Sequence, residues 1–213
     1  EEVKWGVVVA SILAVWITLT SLQGIVDRVA GKQNKLQAFC NTPRGFYGMT
    51  FAHMGVGVFV MGITITTLYS TEKDIRLVQG DSYDIGEYSF VLNSVESVKG
   101  PNYRATEGRF TAFYQGQEIS QLHSQKRLYN AGGMPMTEAG IDAGFWRDLY
   151  VSLGEELDSN GAWSVRIYHK PFIRWIWLGA LIMALGGLLA ATDKRYRKTV
   201  KEARLENAAV GVA

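Results

Sequence analysis

Three stretches almost free of charge divide this chain and fix most of what it can fold into. Trp5–Val26 and Trp175–Ala191 hold no charged residue, and Gly45–Thr71 holds none beyond a single imidazole, His53. About 20 apolar residues suffice to cross a bilayer as a helix, and in lipid the backbone of such a run must satisfy its own hydrogen bonds. Between the second and third stretches, Glu72–Lys170 has ordinary globular composition. The overall share of charged residues, 20%, is therefore an average over two unlike populations. The expected fold is a membrane α-helical chain with three transmembrane helices and an inserted all-β domain, a small antiparallel barrel or sandwich. The segments expected are a helix within 1–27, a loop over 28–44, a helix over 45–71 carrying His53, a β domain over 72–170, a helix over 171–191 and a basic tail over 192–213.

Charge sets the orientation. Arg28, Lys32, Lys35 and Arg44 lie in a loop without an acid, and the tail has Lys194, Arg195, Arg197, Lys198, Lys201 and Arg204 against three acids. By the positive-inside rule both face the cytoplasm, which leaves the β domain, with 14 acids against 10 bases, on the other side. Pro171, Phe172, Arg174, Trp175 and Trp177 read as an interfacial girdle at the outer surface, with Arg174 able to reach the headgroups. The one cysteine, Cys40, falls in the cytoplasmic loop, so the exported domain depends on its core rather than on a disulfide. The chain opens on Glu1 and Glu2 without a basic n-region, so the first helix does not read as a signal peptide. It reads as the C-terminal part of a longer protein.

Within 72–170 the strand signals are Ile75–Val78, Ser89–Val98, Arg109–Tyr114, Ser120–Asn130, Phe145–Leu153 and Ala162–Tyr168. They are rich in Val, Ile, Phe and Tyr and separated by polar or glycine-bearing segments. Met134–Gly144 reads as turn. Six or seven short strands suit a sandwich or barrel.

His53 is the leading candidate for chemistry, because an ionisable side chain at membrane depth is costly and points to function. Its i−4 and i+4 neighbours, Met49 and Gly57, share its face, and a glycine one turn away leaves room for a flat macrocycle. Three roles stand open on the residues alone: a structural hydrogen bond, an axial bond to haem iron, and a proton relay. Gly45, Gly48, Ala52 and Gly55 recur at steps of three and four and form a seam for close helix approach. At about 1.5 Å per residue, His53 lies roughly 12 Å in from Gly45, in the inner half of the bilayer. His123 reads as solvated, and His169, at the outer membrane surface between Tyr168 and Lys170, either has no special role or touches a ligand held there. Glu138 and Asp142 suit turn and cap roles, and Arg147 with Asp148 a surface ion pair. No phosphate loop, nucleophile elbow or nucleic-acid patch is present, so no nucleic-acid partner is expected.

Three segments resemble one family. They are Phe51-Ala-His53-Met-Gly55, then Met134-Pro-Met-Thr-Glu-Ala-Gly-Ile-Asp142 with Arg147-Asp-Leu-Tyr150, then Val165 through Gly179 leading to Thr192-Asp-Lys-Arg-Tyr-Arg197. Together they are similar to the C-terminal third of the CcmF family of cytochrome c biogenesis proteins. The resemblance implies part of a bacterial inner-membrane haem lyase that attaches haem to apocytochrome c on the periplasmic side. It implies a membrane haem b with His53 as one axial ligand, and Met49 and Gly57 lining that pocket. The implied partners are the remaining CcmF portion or other lyase subunits, a haem chaperone, apocytochrome c and membrane lipid. The family's Trp-rich haem-handling loop and its other haem histidines have no counterpart here, so no catalytic residue is assigned. A related lyase dedicated to a nitrite-reductase cytochrome shares this architecture. The alternative is a membrane-anchored assembly or receptor subunit whose β domain binds a protein partner, with His53 purely structural.

Overall fold

A computed structural model of the chain describes residues 5–158 and 161–193. The basic tail from Lys194 onward lies outside the described residues. The described residues form two compact units, one built from 5–64 with 175–193 and the other from 65–158 with 161–174. Four helices are described: α1 Trp5–Val29, α2 Lys35–Asn41, α3 Arg44–Tyr69 and α4 Ile173–Ala191. The three longer ones are long and apolar enough to cross a membrane. The short α2 lies in the stretch read as a loop, and its start is fixed by Asn34, whose Oδ1 accepts from the Gln37 N–H at 3.0 Å. An asparagine at this position satisfies a backbone donor that the first turn leaves unpaired.

In the helical unit α3 packs on two sides through small residues. A Cβ at Gly48 would lie 2.5 Å from the Ala190 nitrogen, and one at Gly55 2.7 Å from the Met183 nitrogen. Gly186 and Gly179 of α4 are equally closed from the other side, by the Gly48 and Gly55 carbonyls at 2.6 and 2.7 Å. Gly48, Ala52 and Gly55 thus form a seam along which α4 lies at backbone distance, where dispersion and close packing hold helices together in lipid. Gly57 is nine residues from Gly48, about half a turn away around the axis at roughly 100° per residue. It faces α1, where the Thr18 hydroxyl and the Ala14 carbonyl close over it. Gly45 ends the α3 seam differently: its N–H donates to Asp193 Oδ2 at 2.8 Å. That places a carboxylate against the positive end of the helix dipole.

The other unit is a β-sandwich of two antiparallel sheets. Its strands are β1 Thr71–Leu77, β2 Ser82–Ile85, β3 Tyr88–Lys99, β4 Tyr103–Tyr114, β5 Gln117–Tyr129, β6 Met136–Glu138, β7 Gly140–Ala143, β8 Arg147–Glu156 and β9 Trp163–Pro171. One sheet runs β1-β9-β8-β7 and the other β2-β3-β4-β5-β6. Of the two architectures expected, the sandwich is the one formed. The segment read as turn at Met134–Gly144 instead contributes β6 and β7. Strand alternation builds the core: Leu149, Val151, Leu153, Val165 and Ile167 face inward from one sheet, and Phe90, Leu92, Phe110, Ala112 and Leu122 from the other, nearly all without solvent exposure. Gln115 and Gly116 both take positive φ, 50° and 81°. This is the geometry of the two-residue turn that matches the twist of adjoining strands.

One polar group is built into this core. The fully buried Ser124 Oγ donates to the Glu138 carbonyl at 3.0 Å and accepts from the Leu153 N–H at 2.8 Å. It therefore links β5 of one sheet to β8 of the other. The domain's entry and exit strands, β1 and β9, pair side by side from Thr71↔His169 onward. Thr66 Oγ1 donates to the Pro171 carbonyl at 2.8 Å beyond that pairing. The chain thus leaves the sandwich where it enters it.

Candidate functional site

His53 lies on neither small-residue face of α3. Five residues beyond Gly48, it sits at roughly 140° around the axis from the α4 seam, and it is exposed. Its Nδ1 is 2.7 Å from the Met49 carbonyl oxygen. A carbonyl can only accept, so in the neutral ring Nδ1 carries the proton and Nε2 the lone pair. That is the tautomer an Nε2 metal ligand requires, and a carbonyl bonded to the second nitrogen is the usual device that fixes such a ring. The Met49 side chain, half exposed, adjoins the imidazole's side of the helix.

Gly57, one turn beyond His53 and about 40° around the axis, is covered by another helix. Its free side is taken by Thr18 and Ala14 of α1, so the space that the sequence leaves at this glycine is filled by helix packing. With Ala14, Val15, Val58, Met61 and Trp175 it lines an apolar crevice of about 270 Å³ in the helical unit. Among the described residues no group of three or more His, Cys, Asp or Glu could hold a metal ion. A lone imidazole does not cage an ion, but with Nε2 unprotonated it can serve as one ligand among several.

The other histidines sit in the sandwich. His123 is not simply solvated: its Nδ1 is 3.2 Å from Glu107 Oε1. Glu107 is 7% exposed and also receives hydrogen bonds from Gln125 and, at 2.9 Å, from Arg109 Nε. These donors, Gln125 foremost, hold its carboxyl at about 2, against an ordinary value of 4.5. His169 stacks on Tyr88 with ring centroids 5.2 Å apart. Burial, and then the Arg147 charge, push its ring below the usual histidine value.

The acidic pairs also resolve. Glu138 and Asp142 lie on separate strands, Glu138 3.5 Å from Arg127 and Asp142 bonded to Arg147. Arg147 and Asp148 are not the surface pair that their adjacency suggests, because neighbours on a strand point to opposite faces. Asp148 is only 5% exposed, accepts from the Gly144 N–H at 3.0 Å and takes Arg174 Nε at 3.0 Å. Arg174 is therefore engaged with the sandwich rather than extended toward headgroups. A buried carboxylate of this kind carries no motif. Its clue is the strand alternation Asp148, Tyr150 against Leu149, Val151 read together with the following arginine.

The Glu107 cluster carries a pH expectation. Its folded pKa lies below the unfolded one, so its contribution to stability is complete above about 4.5 and is lost as pH falls toward about 2. Thermal unfolding of the native chain and of Glu107→Gln, followed by near-ultraviolet circular dichroism, should show a steeper loss for the native chain within that window. Equal slopes would remove Glu107 as its source.

Residues 68–171 match the family described as the CcmF C-terminal beta-sandwich. The chain is 44% identical over 200 residues to the cytochrome c-type biogenesis protein CcmF of Pseudomonas aeruginosa, which covers 94% of this chain and 30% of that protein. It is 45% identical over 188 residues to CcmF of Escherichia coli, covering 88% of this chain and 28% of that protein. It is 32% identical over 152 residues to the cytochrome c-type biogenesis protein NrfE of Haemophilus influenzae, covering 71% and 24%. The chain thus spans about a third or less of the length of these relatives. A solved structure of a cytochrome c heme lyase CcmF superimposes with a TM-score of 0.63 at 17% identity, over 89% of this chain and 35% of that one. At that identity the likeness is one of fold.

Proposed function

The chain belongs to the CcmF family, and we propose that it forms the C-terminal part of a bacterial cytochrome c haem lyase and supplies His53 as an axial ligand to a haem b in the membrane. One observation carries the assignment of the residue: the Nδ1–H of His53 is engaged by the Met49 carbonyl, which leaves Nε2 with an outward lone pair on an exposed side of α3. Bound there, a haem would supply a one-electron centre within the membrane. The chain's own part is to hold the ring. Met49 fixes its tautomer and rotation, while Gly57 lets α1 approach α3 and so borders the site from that side. Any further ligand and the rest of the pocket would be supplied by the remaining lyase portion, to which the catalytic haem platform would also belong.

The excess of basic residues in the loop and the tail supports a periplasmic position for the sandwich, by the positive-inside rule. There it offers a supporting surface for the other lyase subunits, the haem chaperone or the apocytochrome. The proposal is tested by maturation. With the complete lyase assembled, His53→Ala should lower the yield of covalently haem-bearing cytochrome roughly tenfold or more, since even the partners of metal ligands are worth about 10–100-fold. Native yield from a variant that accumulates normally would overturn the assignment.

A further inference from the structure

The turn between β7 and β8 presents two adjacent aromatic side chains. Phe145 is 55% and Trp146 59% exposed, although the sandwich has a full apolar core in which such residues could be buried. The turn is held firmly. Gly144 donates its N–H to the Arg147 carbonyl and to Asp148 Oδ1, each at 3.0 Å. The rings of Phe145 and Trp146 meet edge to face at 4.8 Å, and Trp146 in turn meets Phe172 at 5.5 Å.

Two bonds fasten this turn to the start of α4. The Phe172 N–H donates to the Trp146 carbonyl at 2.8 Å, and Arg174 Nε donates to the buried Asp148, which also caps the turn. Phe172 has φ 57°, a left-handed conformation that a bulky residue adopts only when its surroundings impose it. Phe172 immediately precedes Ile173, the first residue of α4, and the helix is uncharged from Trp175 onward. Only Ile173 and Arg174 separate Phe172, the ring that Trp146 meets, from the uncharged run that begins at Trp175. Trp and Phe flanked by arginine are the side chains that settle at the boundary of headgroups and acyl chains.

We propose that the Phe145–Trp146 turn inserts into the lipid interface and anchors the sandwich to the membrane surface at that corner. The occupant of this aromatic surface is lipid, because the turn is continuous, through Phe172, with a helix entering the bilayer. The inference rests on α4 spanning the membrane, and its test separates the two. Cys40 is the chain's one cysteine, so in a Cys40→Ser background a nitroxide can be placed singly at Phe145→Cys, at Leu185→Cys within α4, or at Met134→Cys. Met134 is 87% exposed and follows Tyr129, at the end of its sheet away from Tyr88 and His169.

The full chain would be reconstituted in vesicles of phosphatidylcholine and phosphatidylglycerol. Collisions with oxygen, which partitions into lipid, would be compared with those of a water-soluble nickel chelate. Oxygen should dominate at 145 and 185, and the chelate at 134. A label at 145 that behaves like 134, or that is shielded from both reagents as in a protein contact, overturns the proposal. Water-like behaviour at 185 overturns the spanning reading and this inference with it. Since Phe145→Cys removes one ring, a second readout leaves it in place: the emission lost on Trp146→Phe should be quenched by brominated lipid, and absence of quenching also overturns the proposal.

Discussion

Leucine at Gly186 is expected to separate α4 from α3, whereas leucine at the adjacent Gly187 should be tolerated. A Cβ at Gly186 would lie 2.5 Å from the Ala52 nitrogen and 2.6 Å from the Gly48 carbonyl, while at Gly187 nothing lies within 4 Å. The atoms met at Gly186 are backbone and cannot swing aside. The effect should therefore reach or exceed the roughly 1–3 kcal/mol of ordinary overpacking, against about 0.5 kcal/mol or less for an open surface position. Thermal unfolding of the two variants in detergent measures the difference. Equal stability would mean that α3 and α4 do not meet along this seam.

Phe110→Ala should be among the most damaging single changes in the sandwich. Phe110 is fully buried between the sheets, among Leu92, Leu122, Leu149, Leu153 and their neighbours. Truncating a buried phenylalanine costs about 3–5 kcal/mol, from lost transfer energy plus the cavity left behind. That is a large share of the roughly 5–15 kcal/mol by which domains are stable. Urea unfolding followed through Trp163, which packs against this core, should show the midpoint fall sharply. Leu128→Ala, at a position 48% exposed, should scarcely move it. If the two variants lost similar stability, the core would be centred elsewhere.

The three spans were legible because the absence of charge over such lengths leaves few alternatives to a membrane helix. The longer strands were legible from their β-branched and aromatic content. What escaped the sequence depends on partners far along the chain. β6 and β7 have three and four residues and exist because β5 and β8 pair with them. Asp148 looks like half of a local ion pair until strand alternation turns it away from Arg147 and toward Arg174. In α3 the small-residue spacing announced a seam, and the structure supplies its partner in Gly179 and Gly186. The fate of Gly57 was out of reach, since only the placement of α1 shows that Thr18 fills the space. His53 was marked in the sequence as the lone ionisable side chain of its apolar run. The choice of the Met49 carbonyl as its partner, and hence the tautomer, required the helix.

The most direct measurement is the dithionite-reduced visible spectrum of the purified complete lyase, with native His53 and with His53→Ala. Sharp b-type α and β bands in the native complex that are lost in the variant, while both chains accumulate and the sandwich remains folded, are the expected result. Identical bands in both would contradict the account: His53 would then be a structural residue, and the haem would be held entirely by other parts of the protein.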